Sequence, residues 1–362
     1  MRPLHILQIL LSITETNASY GHLCLAWSGK HRIAICTYFR SRLTRSHAIT
    51  LFEGDDSLRG FFRALKAALA AQDYDVIHAH SPHVGFLFVM ANMLTPRKLI
   101  RGTVYTVHNS YHNYKLRNKL LMLPIFATFQ RVVCCGEACL QSYPGFYKWL
   151  AGKRLCAIPN SVDISRVDGM LETASRHSPN GRYTVASVGR IIAIKNPLVV
   201  LSAFQQSADQ ASRVVFIGEG YLRDALVHEI KMRHLGEQVE LTGLIPRRQV
   251  YERLSSVDLV VSASRGEGLP VAVIEAMACR CPVVLSDIAP HREIARGVEF
   301  IPLIPPDDVA GFARELRRFR GMPAAERAEI GEKCRRLVEE RFSLAAMHRK
   351  YEEVYAQTMV VN

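Results

Sequence analysis

The 362 residues predict an α/β protein built from two doubly wound domains, each a parallel sheet covered by helices. Three observations carry that expectation. Short apolar runs alternate with helical stretches twice along the chain. A polar segment without apolar period, DGMLETASRHSPNGR at 168–182, separates the two sets. The length also exceeds that of one ordinary core, so two domains of similar size are the default. Hydrophobic content of 49% with scattered Gly and Pro excludes a disordered or low-complexity chain. No repeat of fixed period appears.

Each element follows from local chemistry. The run from Leu4 to Leu11 has one Arg before it, at position 2, lacks a small-residue cleavage site and is shorter than a membrane span. It reads as a buried strand at 6–11. Runs at 33–38, 76–79, 103–108 and 131–135 have the apolar density of strands buried on both faces of a parallel sheet. Helical stretches at 58–71 and 85–94 lie between them. After the polar segment the habit repeats, with strands expected at 183–188, 213–217, 239–242, 259–263 and 283–285. From Val309 onward the chain is mostly helical and charged, and FSLAAMHRKYEEVY at 342–355 is a closing helix with apolar residues on one face. The domain plan is therefore 1–167, a linker at 168–182, a second domain at 183–340, and a terminal helix in 341–362 that packs back toward the first domain.

Charge is unevenly spread. Residues 1–165 hold 19 Lys and Arg against 8 Asp and Glu, a net of +11, whereas 166–362 hold 27 against 25, a net of +2. Such a surface suits nucleic acid, anionic lipid headgroups or an acidic substrate, and charge alone does not choose. No aromatic-interleaved basic motif or nucleic-acid module is present, so no nucleic-acid partner is expected. YKLRNKLLMLPIFATFQR at 114–131 joins basic residues to a dense apolar stretch. It is either an interfacial membrane element or a core helix with a basic outer face and a kink at Pro124. The nine cysteines are odd in number, and Cys134, Cys135, Cys139, Cys279 and Cys281 fall in apolar stretches without the paired spacing of a zinc site. They read as reduced core residues of a cytoplasmic protein.

The segment SRGEGLPVAVIEAMACRCPVVLSD at 264–287 says most about chemistry. Together with the apolar run before it, it reads as strand, turn with Gly266 and Gly268, helix opened by Pro270, and strand. Such a unit sets its turn at the carboxyl ends of parallel strands, where open α/β sheets bind ligands, and the helix start offers N–H groups to an anion. Glu267 falls in the turn and Glu275 about a turn and a half into the helix. Two carboxylates beside an anion site are consistent if they accept hydrogen bonds from hydroxyls of the same ligand, one on a sugar and one on a ribose. The alternative is a solvated loop glutamate and a satisfied helix glutamate.

Upstream, VGRIIAIKNP at 188–197 ends the first strand of the second domain, with Asn196 placed as a helix cap and Pro197 in the first turn. Arg190 and Lys195 thus leave a strand's carboxyl end, where two cations can neutralise a diphosphate and stabilise the charge on a departing nucleoside diphosphate. FIGEGYLRDAL at 216–226 offers Gly218 and Gly220, which let a backbone come close. It fails as a dinucleotide fingerprint, because the third glycine is absent and position 223 is Arg, so an ordinary strand-to-helix turn is equally open.

In order and spacing, VGRIIAIKNP, IGEGYLRDAL, EGLPVAVIEAMACRCPVVLSD and the closing helix resemble the glycosyltransferase family 4 enzymes of the GT-B fold. DVIHAHSPH (75–83), TVYTVHN (103–109) and AIPNSVD (157–163) extend the likeness over most of the chain. The resemblance implies two Rossmann-like domains facing each other across a cleft. It also implies retaining transfer from a nucleotide sugar, UDP- or GDP-linked, to a glycan or lipid-linked acceptor in cell-surface polysaccharide or glycoconjugate synthesis. The donor would be held mainly by the second domain and the acceptor by the first. Under that likeness Glu275 binds the ribose hydroxyls, Glu267 those of the donor sugar, and Arg190 and Lys195 the diphosphate, helped by N–H groups of Gly268 and Leu269 beside Pro270. Gly21, Gly218 and Gly220 complete the donor-binding set. His108 matches the first-domain histidine near the reacting carbon, and closure of the domains would bring it against the donor; without the likeness, a lone His at a strand end is more often structural. Catalytic roles then fall to His108, Glu267, Arg190 and Lys195, with front-face attack within an ion pair and the leaving phosphate as base.

Two departures from the family pattern stand out. Its first loop commonly carries paired glycines, whereas SITETNASYGH at 12–22 has the single Gly21, and its Pro-Asn-Gly turn is Pro159-Asn160-Ser161 here. No metal or cofactor is expected, since Asp55 and Asp56 are adjacent rather than spaced by one residue as in the Asp-x-Asp metal motif of the other major glycosyltransferase fold. The expected location is cytoplasmic, peripheral on the inner membrane face through the basic first half. Two other classes stay open: a nucleotide-sugar epimerase or phosphorolytic enzyme of the same fold, and a nucleotide-sugar-binding protein without catalysis.

Overall fold

A computed structural model describes residues 2–14, 20–41, 49–93, 102–172, 182–207 and 209–360. Residues 15–19 of the first loop and 173–181 of the expected linker lie outside the described residues. The chain divides into two compact units, Met1–Asn160 with Ala345–Asn362, and Ser161–Leu344.

In the first unit, strands β1 (His5–Leu10), β2 (Arg32–Thr37), β3 (Ile49–Glu53), β4 (Val76–Ala79), β5 (Thr103–Val107), β6 (Arg131–Cys134) and β7 (Leu155–Ala157) form a parallel sheet in the order β3-β2-β1-β4-β5-β6-β7. The order reverses at β1, where Ile6 pairs with Ile33 on one side and Val76 on the other. Helices α1 (Leu58–Ala71), α2 (Pro82–Met93), α3 (Leu116–Thr128), α4 (Glu137–Gln141) and α5 (Gly145–Ala151) cover the sheet. α1 begins where the Ser57 hydroxyl accepts the Gly60 N–H at 3.0 Å, and it buries Phe61, Ala64, Leu65 and Ala68 in one stripe. α3 carries Pro124 inside it.

The second unit opens with α6 (Ile164–Leu171) and holds β8 (Tyr183–Val188), β9 (Ser212–Ile217), β10 (Val239–Gly243), β11 (Leu259–Ser262), β12 (Val283–Ser286) and β13 (Leu303–Ile304) in the parallel order β10-β9-β8-β11-β12-β13. Here the reversal falls at β8, where Val185 pairs with Val214 and with Leu259. The carboxyl ends of β8 and β11 therefore flank the point at which open α/β sheets take their ligands. Around the sheet stand α7 (Pro197–Ser207), α8 (Arg223–Met232), α9 (Arg247–Leu254), α10 (Val271–Ala278), α11 (Ala289–Ile294), α12 (Val309–Gly321) and α13 (Ala324–Arg341).

The last helix, α14 (Leu344–Val360), lies against the first unit. Its Tyr355 ring sits 5.4 Å from that of Trp27, and Glu352 pairs with Lys30 at 2.5 Å. Within the second unit its first and last residues run together, with Val162 N–H donating to Phe342 O and Leu344 N–H to Val162 O.

Both sheets are doubly wound, as expected from the alternation. Three strands escaped it: β3, β7 and β13, each at the edge of its sheet. β7 has three residues and β13 two. β3 is half-buried at best, so none of the three shows the apolar run of a central strand. All nine cysteines are free and eight are buried, in keeping with core thiols. Among the described residues no helix is long and apolar enough to cross a membrane.

Candidate active site

The site grows out of the carboxyl ends of β8 and β11. Past β8 the chain turns at Gly189, whose positive φ of 149° suits glycine, and the Lys195 stem passes in ordinary contact, 3.7 Å from where a Cβ would stand. A one-turn helix at Ala193–Lys195 then delivers the lysine. Its Nζ donates to Glu267 Oε1 at 2.5 Å, and the Ser264 hydroxyl donates to the same oxygen at 2.7 Å. Glu267 is buried, so a carboxylate 72 residues away in sequence receives its counter-ion inside the fold.

Glu275 is paired in the same way. It is buried on α10, where Arg247 of α9 donates to its Oε1 and the Tyr251 hydroxyl, one turn on, donates to the same atom at 2.8 Å. Burial pushes the Glu275 carboxyl above its ordinary value, and the Arg247 charge offsets part of that rise. The carboxylate in turn holds the Arg247 guanidinium above its usual value in spite of the arginine's own burial. Each glutamate of the expected pair thus has a cation within the second unit. Gly268, Leu269 and Pro270 are buried between them, and the first N–H groups of α10 follow Pro270, where helix geometry leaves them without intrahelical acceptors.

Several partners were not legible in the sequence. Ser286 Oγ donates to Ser264 O at 2.6 Å, and His291 Nδ1 lies 2.9 Å from Ser286 O. A carbonyl only accepts, so the His291 proton resides on Nδ1. Burial lowers that ring to about 4 against the pull of the Glu267 charge, which keeps it neutral. Arg265 clamps the lysine turn from outside, its N–H donating to Ile194 O at 2.8 Å and its guanidinium to Asp307 at 2.6 Å. Asn196 adopts a left-handed conformation, and its amide donates to Pro306 O at 2.8 Å and Asp307 Oδ1 at 3.2 Å. It therefore ties the turn to a neighbouring loop rather than serving as the side-chain acceptor expected of a cap.

Other expected residues are placed differently. Arg190 is exposed and forms no ion pair with a described residue. A Cβ on Gly218 would stand 2.1 Å from Gly189 O, and one on Gly220 would stand 2.2 Å from Ile191 O. The backbone these glycines admit is the chain's own, where the ends of β8 and β9 run on together through Gly189 N–H to Ile217 O and Ile191 N–H to Glu219 O. Gly21 sits in a short π-helical turn, Tyr20–Leu25, of the first unit. The Pro159-Asn160-Ser161 turn takes no positive φ, so serine is accommodated where glycine was expected.

In the first unit His108 follows β5 and joins a buried chain of polar groups. Its Nε2 lies 3.1 Å from His80 Nδ1, and His80 Nε2 lies 2.6 Å from Gln8 Oε1 on β1. Because that oxygen accepts, His80 donates from Nε2 and receives the His108 Nε2–H at Nδ1. Beside it, His78 bridges Tyr355 Oη and Thr106 Oγ1, both at 2.7 Å. Burial lowers His108 to about 4, and burial with neighbouring rings lowers His78 and His80 well below 6.5. These folded-state values lie below the unfolded one, so the rings contribute stability that is present above pH 6.5 and lost as pH falls toward 4. We expect each ring to cost up to about 1.4 kcal/mol per pH unit across that window. Both tryptophans belong to the first unit, so a urea midpoint followed by their fluorescence should drop steeply from pH 7 to 5, and a flat midpoint would refute the neutral cluster.

Comparison with known proteins adds to this geometry. Residues 172–337 match the family model described as Glycosyl transferases group 1, and residues 21–166 match that of Glycosyltransferase Family 4. The UDP-Gal:alpha-D-GlcNAc-diphosphoundecaprenol alpha-1,3-galactosyltransferase of Escherichia coli is 24% identical over 349 residues, covering 91% of this chain and 85% of that protein. Among solved structures, sucrose-phosphate synthase from Thermosynechococcus elongatus superposes with a TM-score of 0.79 at 16% identity over 99% of this chain and all of the other. Anabaena Alr3699/HepE in complex with UDP gives 0.76 at 17% identity, covering 98% of this chain and 100% of that one. At such identities the structures establish a shared fold.

Proposed function

We propose, for a chain that belongs to glycosyltransferase family 4 and has its GT-B fold, that it is a retaining enzyme moving a sugar from a nucleotide sugar to a lipid-linked glycan in cell-surface polysaccharide synthesis. The observation that carries this reading is the pair of buried carboxylates, Glu267 with Lys195 and Glu275 with Arg247, at the strand-order reversal of the second sheet. Ordered carboxylates held by cations can accept hydrogen bonds from ligand hydroxyls without being lost to solvent. In this reading Glu275 takes the ribose, Glu267 the transferred sugar, and Lys195, exposed Arg190 and the start of α10 take the diphosphate. UDP is the first nucleotide to try, because the HepE structure holds UDP and the Escherichia coli relative is named for a UDP-sugar and a diphosphoundecaprenol-linked acceptor.

The step breaks the bond between the anomeric carbon and the phosphate oxygen and forms one from that carbon to the acceptor oxygen on the same face. The acceptor proton passes to the departing phosphate. Two cations balance the charge that develops there, so the reading includes no metal. His108 is given a supporting part, a neutral hydrogen-bonding partner of the transferred sugar. An anionic membrane surface is part of the proposal through the basic first half and a lipid-linked acceptor.

Thermal unfolding with UDP, GDP, ADP and dTDP tests the donor site. At 100-fold excess over its dissociation constant a bound nucleotide adds about 2.7 kcal/mol, a shift of a few degrees. Selective stabilisation by one nucleotide, lost in Arg190→Ala, supports the site. No shift with any of the four overturns it. Chromatography of products with the chosen UDP-sugar then separates transfer from epimerisation by whether an acceptor is consumed, and activity retained in EDTA checks the absence of a metal requirement.

A further inference from the structure

Two helices of the first unit present large apolar side chains outward. On α3, Leu116 and Leu120 are 71% and 56% exposed and one turn apart. On α5, Phe146 and Trp149 are 57% and 72% exposed, also one turn apart, and their rings stack with centroids at 5.9 Å. The helices are joined beneath: Tyr147 Oη donates to Lys119 O at 2.7 Å, and the Tyr147 ring packs on Phe126 and Tyr111 at 5.2 and 5.3 Å. A firm base thus carries exposed apolar tips, a combination that marks an interaction surface.

Charge chooses the occupant. Between Tyr111 and Arg154 the chain has seven Lys and Arg and the single acidic residue Glu137. Lys115, Arg117 and Lys153 are exposed, and Lys119 and Lys148 are half-buried. A second copy of this chain would bring the same positive charge to the face, so a self-contact is opposed. Aromatic and leucine tips ringed by lysine stems are suited to the boundary between headgroups and hydrocarbon, where ring and stem bury and the ammonium stays wet. The same face adjoins the loop after His108, for Tyr111 N–H donates to Ser142 Oγ at 2.9 Å and Asn113 to Asn109 at 2.8 Å.

We infer that Leu116, Leu120, Phe146 and Trp149 with their lysines seat the first unit on an anionic lipid bilayer. This deepens the proposed membrane association by naming its surface, yet it needs no donor nucleotide and no transfer reaction. The chain has two tryptophans, and Trp27 is 1% exposed, so any change in emission on adding vesicles reports Trp149. Phosphatidylglycerol–phosphatidylcholine vesicles should shift the emission to the blue and sediment the full-length protein, with binding weakened by salt. Phe146→Ser/Leu120→Ser should weaken partitioning by about tenfold or more. Lys115→Ala and Lys153→Ala should weaken it by about fivefold each. All are exposed side chains, and an unchanged melting temperature and nucleotide shift confirm the fold. Equal binding to pure phosphatidylcholine overturns the proposal. So does vesicle binding without a Trp149 shift, a Trp149 shift caused by self-association in sedimentation velocity, or no binding at all.

Discussion

Lys195→Ala is expected to lower kcat by about 10²–10³ with a smaller effect on donor KM. In the proposed reading the lysine faces the charge that grows on a leaving diphosphate, and a cation engaged chiefly in the transition state affects turnover more than ground-state binding. The substitution also leaves buried Glu267 with the Ser264 hydroxyl but without its ammonium. Lys195→Arg should recover only part of the loss, since a planar fork does not reproduce a point charge set 2.5 Å from one oxygen. Steady-state kinetics with the nucleotide sugar chosen by thermal shift provide the check. Turnover within threefold of the native enzyme in Lys195→Ala would remove the lysine from the chemistry.

Glu275→Ala should act on both stability and donor affinity. It strips the carboxylate from a half-buried Arg247 and the acceptor from buried Tyr251, and breaking such a pair from one side costs up to about 3–5 kcal/mol. It also abolishes the nucleotide-induced shift if the carboxylate holds the ribose. The double variant Glu275→Ala/Arg247→Met separates the two effects. Removing both charges should restore part of the melting temperature, because no uncompensated charge remains, while the volume lost at position 275 is not replaced. The nucleotide shift should stay lost. A double variant that regains both would make Glu275 a purely structural partner of Arg247.

These two predictions rest on parts of the molecule that were unequally legible. Glu267 and Glu275 stand out in the sequence because a strand, a glycine-bearing turn and a proline-led helix are local signals, and their spacing places both residues at one end of a sheet. Lys195 is visible for the same reason. Its bond to Glu267, and that of Arg247 to Glu275, join residues 72 and 28 positions apart through separate elements. Gly218 and Gly220 show the converse: the sequence marks two places of close approach, and only the folded chain shows that Gly189 O and Ile191 O occupy them.

The sequence by itself determined two doubly wound domains, the central strands, the turn bearing Glu267 and the family to which the chain belongs. The strands and the turn arise from local patterns, governed by side-chain periodicity and by the backbone demands of Gly and Pro, and the domains and the family from the order in which such patterns follow one another along the chain. Only the tertiary structure decided which cation serves which carboxylate, that half-buried His108 joins buried His78 and His80 in one neutral cluster, and that Phe146 and Trp149 face outward from α5 while Tyr147 faces in. The edge strands β3, β7 and β13 were likewise settled by neighbours. The reason is the same in each case: parallel sheets bring distant segments to one edge, and burial then makes pairing obligatory for whatever charged or polar group arrives there.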